Sequence, residues 1–103
     1  MAKDRILTLL GFAQKSGNVF SGENTVELYI KKNKIKLIII SEDASKNSKE
    51  KFISISNSRN IPYIVFANKD ELSNAIGKYN RTIFGIKDSK FAKKVLGLYE
   101  NKT

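Results

Sequence analysis

The residues with the most specific chemistry lie together in Ser21-Gly22-Glu23-Asn24-Thr25, just ahead of an apolar-periodic stretch. A helix starting here would offer unpaired amides and a partial positive charge to phosphate. The carboxamide of Asn24 beside those amides can both donate to and accept from a purine edge, a combination that suits a kinked RNA. The local alternative is ordinary helix capping, with Ser21 as the N-cap. Gly17 and Gly22 also have four residues between them, as at the start of a P-loop. The Lys and Ser or Thr that must follow the second glycine are absent, and Glu23-Asn24 would repel a triphosphate, so the two glycines read as a helix stop and a helix start. Glu42 and Asp43 follow an apolar strand-like run, where α/β sheets place their ligands. Two adjacent carboxylates there could hold magnesium, but neighbours on an extended chain point apart, and capping of a following helix is the reading preferred.

Other chemistries are excluded by composition. The 103 residues contain neither Cys nor His, which removes disulfides, thiol nucleophiles, zinc sites built on those ligands and imidazole bases. No nucleophile with a base can be assembled, so the protein is not expected to be an enzyme, and no cofactor is implied. The balance of 19 Lys and Arg against 10 Asp and Glu gives a formal charge of +9, for which a polyanion is the natural partner. The cations come in clusters at Lys31, Lys32, Lys34 and Lys36, at Lys46, Lys49 and Lys51, and at Lys87, Lys90, Lys93 and Lys94. Each cluster alone reads as a solvated face; with the total charge they favour contact with a nucleic-acid backbone. Apolar runs such as Leu37-Ile38-Ile39-Ile40 fall far short of the ~20 residues of a membrane helix. Lys3, Asp4 and Arg5 with no small-residue cleavage site argue against secretion. The expectation is a soluble, cytoplasmic monomer.

The chain must position these residues with one domain's worth of sequence. Ile6, Leu9, Leu10 and Ala13 predict a helix over residues 3–16, stopped by Gly17-Asn18. A short strand at Val19-Phe20 precedes a second helix with Val26, Tyr29 and Ile30 inward and Glu27 paired to Lys31 on its outer side. Lys36 to Ser41 reads as a central strand covered on both faces. Phe52, Ile53 and Ile55 line a third helix that ends before Pro62, and Tyr63 to Phe66 form the next strand. Asn68-Lys69-Asp70-Glu71 has the form of a capping box for a fourth helix ending at Gly77. Arg81 to Ile86 form a strand, and Asp88 caps a last helix carrying Phe91, Val95 and Leu98. Helices alternating with apolar strands predict an α/β fold: a three-layer α-β-α sandwich with a central mixed sheet of about four strands.

In this order and spacing the chain resembles the kink-turn RNA-binding ribosomal proteins of the L7Ae and L30e type, most of all their small bacterial YlxQ-like branch. The resemblance runs from about Arg5 to Tyr99. It rests on Gly22 and Asn24, on Lys36 through Ala44, on Ile61-Pro62-Tyr63, on Leu72-Ser73-Asn74-Ala75-Ile76-Gly77-Lys78 and on Phe91-Ala92-Lys93-Lys94-Val95-Leu96. It implies a single RNA-binding domain over residues 1–103 that grips a kink-turn, an RNA helix bent around a bulge with tandem sheared G·A pairs. By the family's Gly-x-Asn-Glu-x-x-Lys motif, Gly22 would permit close backbone approach and Asn24 would read a guanine, with Glu23 and Thr25 in the same segment. The loop Ile76-Gly77-Lys78-Tyr79-Asn80-Arg81 would cover the bulge, Ile76 and Gly77 by apolar and backbone contact and Lys78 and Arg81 at phosphates. Thr25 stands where the family has Glu, and Leu28 where it has an RNA-facing Lys; Lys31 and Lys32, a turn further on, would take over the cationic role. The resulting expectation is an RNA-binding, ribosome-associated protein that stabilises a bend in structured RNA, ribosomal RNA included. The alternative is a basic scaffold module that meets proteins or RNA without kink-turn selectivity.

Overall fold

Helix α1 (Ala2–Lys15) buries Ile6, Leu10 and Ala13 on one stripe and ends where Gly17 takes a positive φ of 75°. This computed structural model describes residues 2–101. The elements that follow are β1 (Val19–Ser21), α2 (Glu23–Lys31), β2 (Leu37–Ile40), α3 (Lys46–Arg59), β3 (Tyr63–Val65), α4 (Lys69–Ala75), β4 (Ile83–Ile86) and α5 (Ser89–Glu100). The predicted alternation of helices and strands is present in full. The segment around Phe52 is helical as predicted, its buried side formed by Ser48, Phe52 and Ser56, with Ile53 and Ile55 half-buried beside them.

The strands form one mixed sheet in the order β1-β4-β2-β3. β4 runs antiparallel to both β1 and β2, and β2 runs parallel to β3. Every residue of β2 is buried because successive side chains leave the strand on opposite faces, and both faces are covered. Leu37 and Ile39 join Phe84 and Ile86 beneath α1, α4 and α5, where Ile6, Leu10, Leu72 and Val95 complete the core. Ile38, Ile40 and Ile83 meet Val26, Ile30 and Phe52 beneath α2 and α3. The molecule is therefore the expected three-layer sandwich. Pro62 sits one residue before the edge strand β3, where its missing N–H costs no ladder bond.

Register fixes which turns share an end. Ile40 lies opposite Ile83, Leu37 opposite Ile86, and Ser21 opposite Phe84. The turns at residue 22 and at residues 41–45, 66–68 and 76–82 gather at one end of the sheet, termed the Asn24 end. Those at residues 16–18, 32–36, 60–62 and 87–88 gather at the other, the lysine end.

Candidate nucleic-acid interface

Ser21 remains in β1, so the N-cap of α2 is Gly22 and not Ser21 as the sequence suggests. Gly22 has φ 95° and ψ 144° and supplies no side-chain cap, a backbone state that glycine enters freely and other residues avoid. The first helical bond runs from Val26 N–H to the Gly22 carbonyl at 2.9 Å, which leaves the amides of the preceding turn directed outward without an intrahelical acceptor. Asn24 and Thr25 are exposed on that turn. The segment thus starts α2 through the backbone of Gly22, with no side chain capping it. The stacked rings of Phe20 and Tyr29, 3.9 Å apart, hold α2 against β1.

The loop between α4 and β4 meets this turn directly. A Cβ added to Gly22 would lie 2.8 Å from Arg81 Nη1, and the Gly22 amide donates to the Ile83 carbonyl at 2.9 Å. Buried Ser73 holds the loop at two points. Its carbonyl accepts from Lys78 N–H at 2.8 Å, and its hydroxyl accepts from Arg81 N–H at 3.0 Å while donating to the Arg81 carbonyl at 3.2 Å. Gly77 turns the chain with φ 69°, as expected of a helix stop. Lys78, Tyr79 and Asn80 are exposed beyond it, and with Asp70, Ser73 and Asn74 they line a cleft of about 390 Å³. Tyr79 is 86% exposed. An aromatic ring left in water on a polar loop is a surface on which a base can stack. The sequence places Tyr79 in this loop but gives it no role of its own, although an aromatic between Gly77 and Asn80, outside any core period, is the visible signal.

The structure thus brings Gly22, Asn24, Thr25, Gly77, Lys78 and Arg81 to one end, and it redirects four other residues. Ile76 is 5% exposed and packs in the core beneath α1, so its side chain is withdrawn from any bound ligand. Glu23 is half-buried and accepts from the Ser48 hydroxyl at 2.5 Å, tying α2 to α3. Lys31 and Lys32 are exposed at the far end of α2, roughly 12 Å along the axis at 1.5 Å per residue, and belong to the lysine end. Glu27 reaches across to Lys51 at 2.9 Å instead of pairing with Lys31. That hydrogen bond holds the Glu27 carboxyl below its ordinary range.

Glu42 and Asp43 form no metal cluster, and no group of three acidic ligands occurs among the described residues. Asp43 accepts from the Lys69 amide at 2.8 Å and so serves α4, not the α3 helix that follows it; Ser45 caps α3. Partial desolvation pushes the Asp43 carboxyl up, but hydrogen bonding led by the Lys69 amide outweighs it, and the group sits below its ordinary value. The capping box of α4 is present: Asn68 accepts from Glu71 N–H at 2.8 Å and Glu71 from Asn68 N–H at 3.0 Å. Lys3, 2.7 Å from the other Glu71 oxygen, is the main cause of a lowered Glu71 pKa. These contacts position the helix from which the Lys78–Arg81 loop departs. No described helix is long and apolar enough to cross a membrane.

Comparison with known proteins agrees with this architecture. The chain is 33% identical over 98 residues to the RNA-binding protein YlxQ of Enterococcus faecium, covering 95% of this chain and 94% of that protein. It is 34% identical over 92 residues to YlxQ of Bacillus subtilis, covering 89% and 92%. A solved Bacillus halodurans protein of unknown function superposes with a TM-score of 0.90 at 33% identity over 93% of this chain and 97% of that one. The Giardia lamblia 15.5 kD RNA-binding protein shares the fold, with a TM-score of 0.78 at 17% identity over 96% of this chain and 85% of its own. The model of one family matches residues 4–96, and the chain belongs to that family, the Ribosomal protein L7Ae/L30e/S12e/Gadd45 family.

Proposed function

We propose that this protein is a non-catalytic RNA-binding protein that docks a kink-turn or similarly bent RNA at the Asn24 end and stabilises the bend as a cytoplasmic monomer. One observation carries the reading. Gly22 leaves no side chain between the open first turn of α2 and Arg81, so amides, a carboxamide and a guanidinium converge on one surface. Asn24 is the base reader, and the α2 amides with Lys78 and Arg81 hold the phosphates crowded at the bend. Tyr79 stacks on an unpaired base. The two YlxQ relatives and the Giardia protein, all described as RNA-binding, support the class of ligand, and the ribosomal members of the family make ribosomal RNA the first target to test.

The discriminating experiment compares a kink-turn oligonucleotide with a straight RNA duplex of equal length at physiological salt. The kinked RNA binds more tightly, and Asn24→Ala removes about 1–3 kcal/mol of that difference while leaving the straight duplex unchanged. Equal affinities for the two RNAs would overturn the selective reading. They would favour a non-selective basic module, which the exposed Leu28, in place of a cation, makes the second reading.

A further inference from the structure

The lysine end holds cations that the fold does not use. Three of the turns there follow helix C-termini with left-handed residues at Gly17, Asn33 and Asn60, and positive side chains near helix C-termini offset the helix dipole. That explanation covers part of the charge. Arg59, in the last turn of α3, donates to the Ile30 carbonyl at 3.3 Å, and the Lys32 ammonium lies over the Tyr29 ring at 5.4 Å. It reaches Lys34, whose N–H closes the α2 C-terminus, but it does not cover Lys36 and Lys87, which are exposed and stand beyond the helices.

The backbone beneath these lysines is held firmly. Lys34 N–H donates to the Tyr29 carbonyl at 2.9 Å, Lys36 N–H to Ile86 at 2.7 Å and Lys87 N–H to Asn18 at 2.8 Å. Gly85 gives way to Ile35, whose side chain would sit 2.7 Å from a Cβ there and so anchors the loop between α2 and β2. The carboxylate nearest in the chain, Asp88, is engaged as the cap of α5, accepting from Lys90 N–H at 3.0 Å. Both ion pairs recorded among the described residues, Lys3 with Glu71 and Lys51 with Glu27, lie elsewhere.

We propose that the lysine end is a second RNA-contact surface, taking the phosphate backbone of an RNA segment other than the one docked at the Asn24 end. One molecule, with extents of 31 × 27 × 26 Å, then bridges two RNA segments. The surface chemistry favours a phosphodiester chain over an acidic protein. Beside the cations lie a groove of about 260 Å³ and the exposed carboxamides of Asn33 and Asn60, groups that meet phosphate and sugar oxygens. Protein interfaces are anchored by large apolar side chains. Of the exposed ones, Tyr79 lies at the other end, and Phe12 and Leu28, in the last turns of α1 and α2, do not line this groove. The inference goes beyond the function proposed above and does not require the Asn24 end to select a bend.

The test saturates the full chain with kink-turn RNA and titrates in a fluorescein-labelled straight RNA duplex. The wild type forms a ternary complex. The combined variant Lys34→Ala, Lys36→Ala, Lys87→Ala binds the labelled duplex on the order of 10- to 100-fold more weakly near 0.1 M salt, with a slope of log K against log salt lower by roughly 2 to 3. Its affinity for the kink-turn RNA changes far less, and the corresponding triple arginine variant restores duplex binding. In the wild-type chain, the amide resonances of Lys34, Lys36 and Asn60 shift on adding duplex, a readout that needs no variant. Absence of a ternary complex, unchanged duplex binding by the triple alanine variant, or polyglutamate displacing the duplex at lower concentration each overturns the proposal, the last in favour of an acidic protein partner. If the kink-turn RNA itself does not bind, the docking reading fails, and the duplex titration without it still decides the role of the lysine end.

Discussion

At the Asn24 end, carboxylates and cations are interleaved, and most of the carboxylates have fixed structural partners: Glu23 with Ser48, Asp43 with Lys69, Glu71 with Lys3 and Asn68. At the lysine end, cations stand on rigid backbone with little opposing charge. The contrast teaches how a small basic protein separates two requirements. Affinity for RNA comes mainly from neutralised phosphates and fades with salt, whereas selectivity comes from a few groups held in fixed geometry. The end with the weaker excess of charge is the better organised, because Gly22, Ser73 and the α4 cap place Asn24 and Arg81 without relying on long-range attraction.

The comparison can be broken most severely at Gly22. Gly22→Val forces a branched side chain into a positive-φ position and against Arg81, at a cost of about 1–3 kcal/mol. Kinked-RNA affinity falls by more than tenfold, while duplex binding at the lysine end persists; thermal unfolding and paired titrations report both. Ser73→Ala removes the hydroxyl that holds Arg81. It lowers stability by about 1–3 kcal/mol and speeds hydrogen exchange at Lys78 and Arg81, with no change at Lys34 or Lys36. Lys78→Ala has a smaller effect that is uniform across sequences, lowering the salt slope for kinked RNA by about 0.9 per lost phosphate contact. The smallest effect is that of pH. With no histidine in the chain, affinity for either RNA stays level between about pH 6 and 8. Asp43 and Glu71 have folded pKa values below their ordinary 3.8 and 4.5. The stability they contribute is present above those values and is lost as pH falls through the lower folded ones, so acid unfolding loosens the α4 tether first at the Asn24 end. Hydrogen exchange in an acid series checks this order.

Elements set by local chemistry were legible in the sequence. The apolar run at Leu37–Ile40 announced a strand buried on both faces, and Asn68 with Glu71 announced a capping box that is present bond for bond. Gly17 and Gly77 marked helix stops and take positive φ at both. Properties created by strand pairing were not legible. That β4 inserts between β1 and β2 decides which turns meet, and no local pattern states it. The family resemblance assigns Lys31 and Lys32 to the Asn24 site, although the rise of the predicted helix alone carries them to its opposite end. The family resemblance alone assigns Ile76 to the RNA-covering loop, and the structure keeps its side chain in the core with Leu72. Glu27 has one partner four residues away by helical spacing and another on α3 that only the packed structure supplies. Ser21 was chosen as N-cap by residue type, but its backbone is committed to β1, and the vacancy falls to a glycine.

The division between the two ends is tested most directly by mapping amide chemical shifts of the full chain during titration with a kink-turn RNA up to and beyond one equivalent. The account predicts that the largest changes fall on Glu23, Asn24, Thr25 and Lys78 through Arg81, with Lys34, Lys36 and Asn60 responding only once RNA is in excess. Largest changes at residues 33–36 and 59–61, with residues 22–25 unmoved, would contradict it.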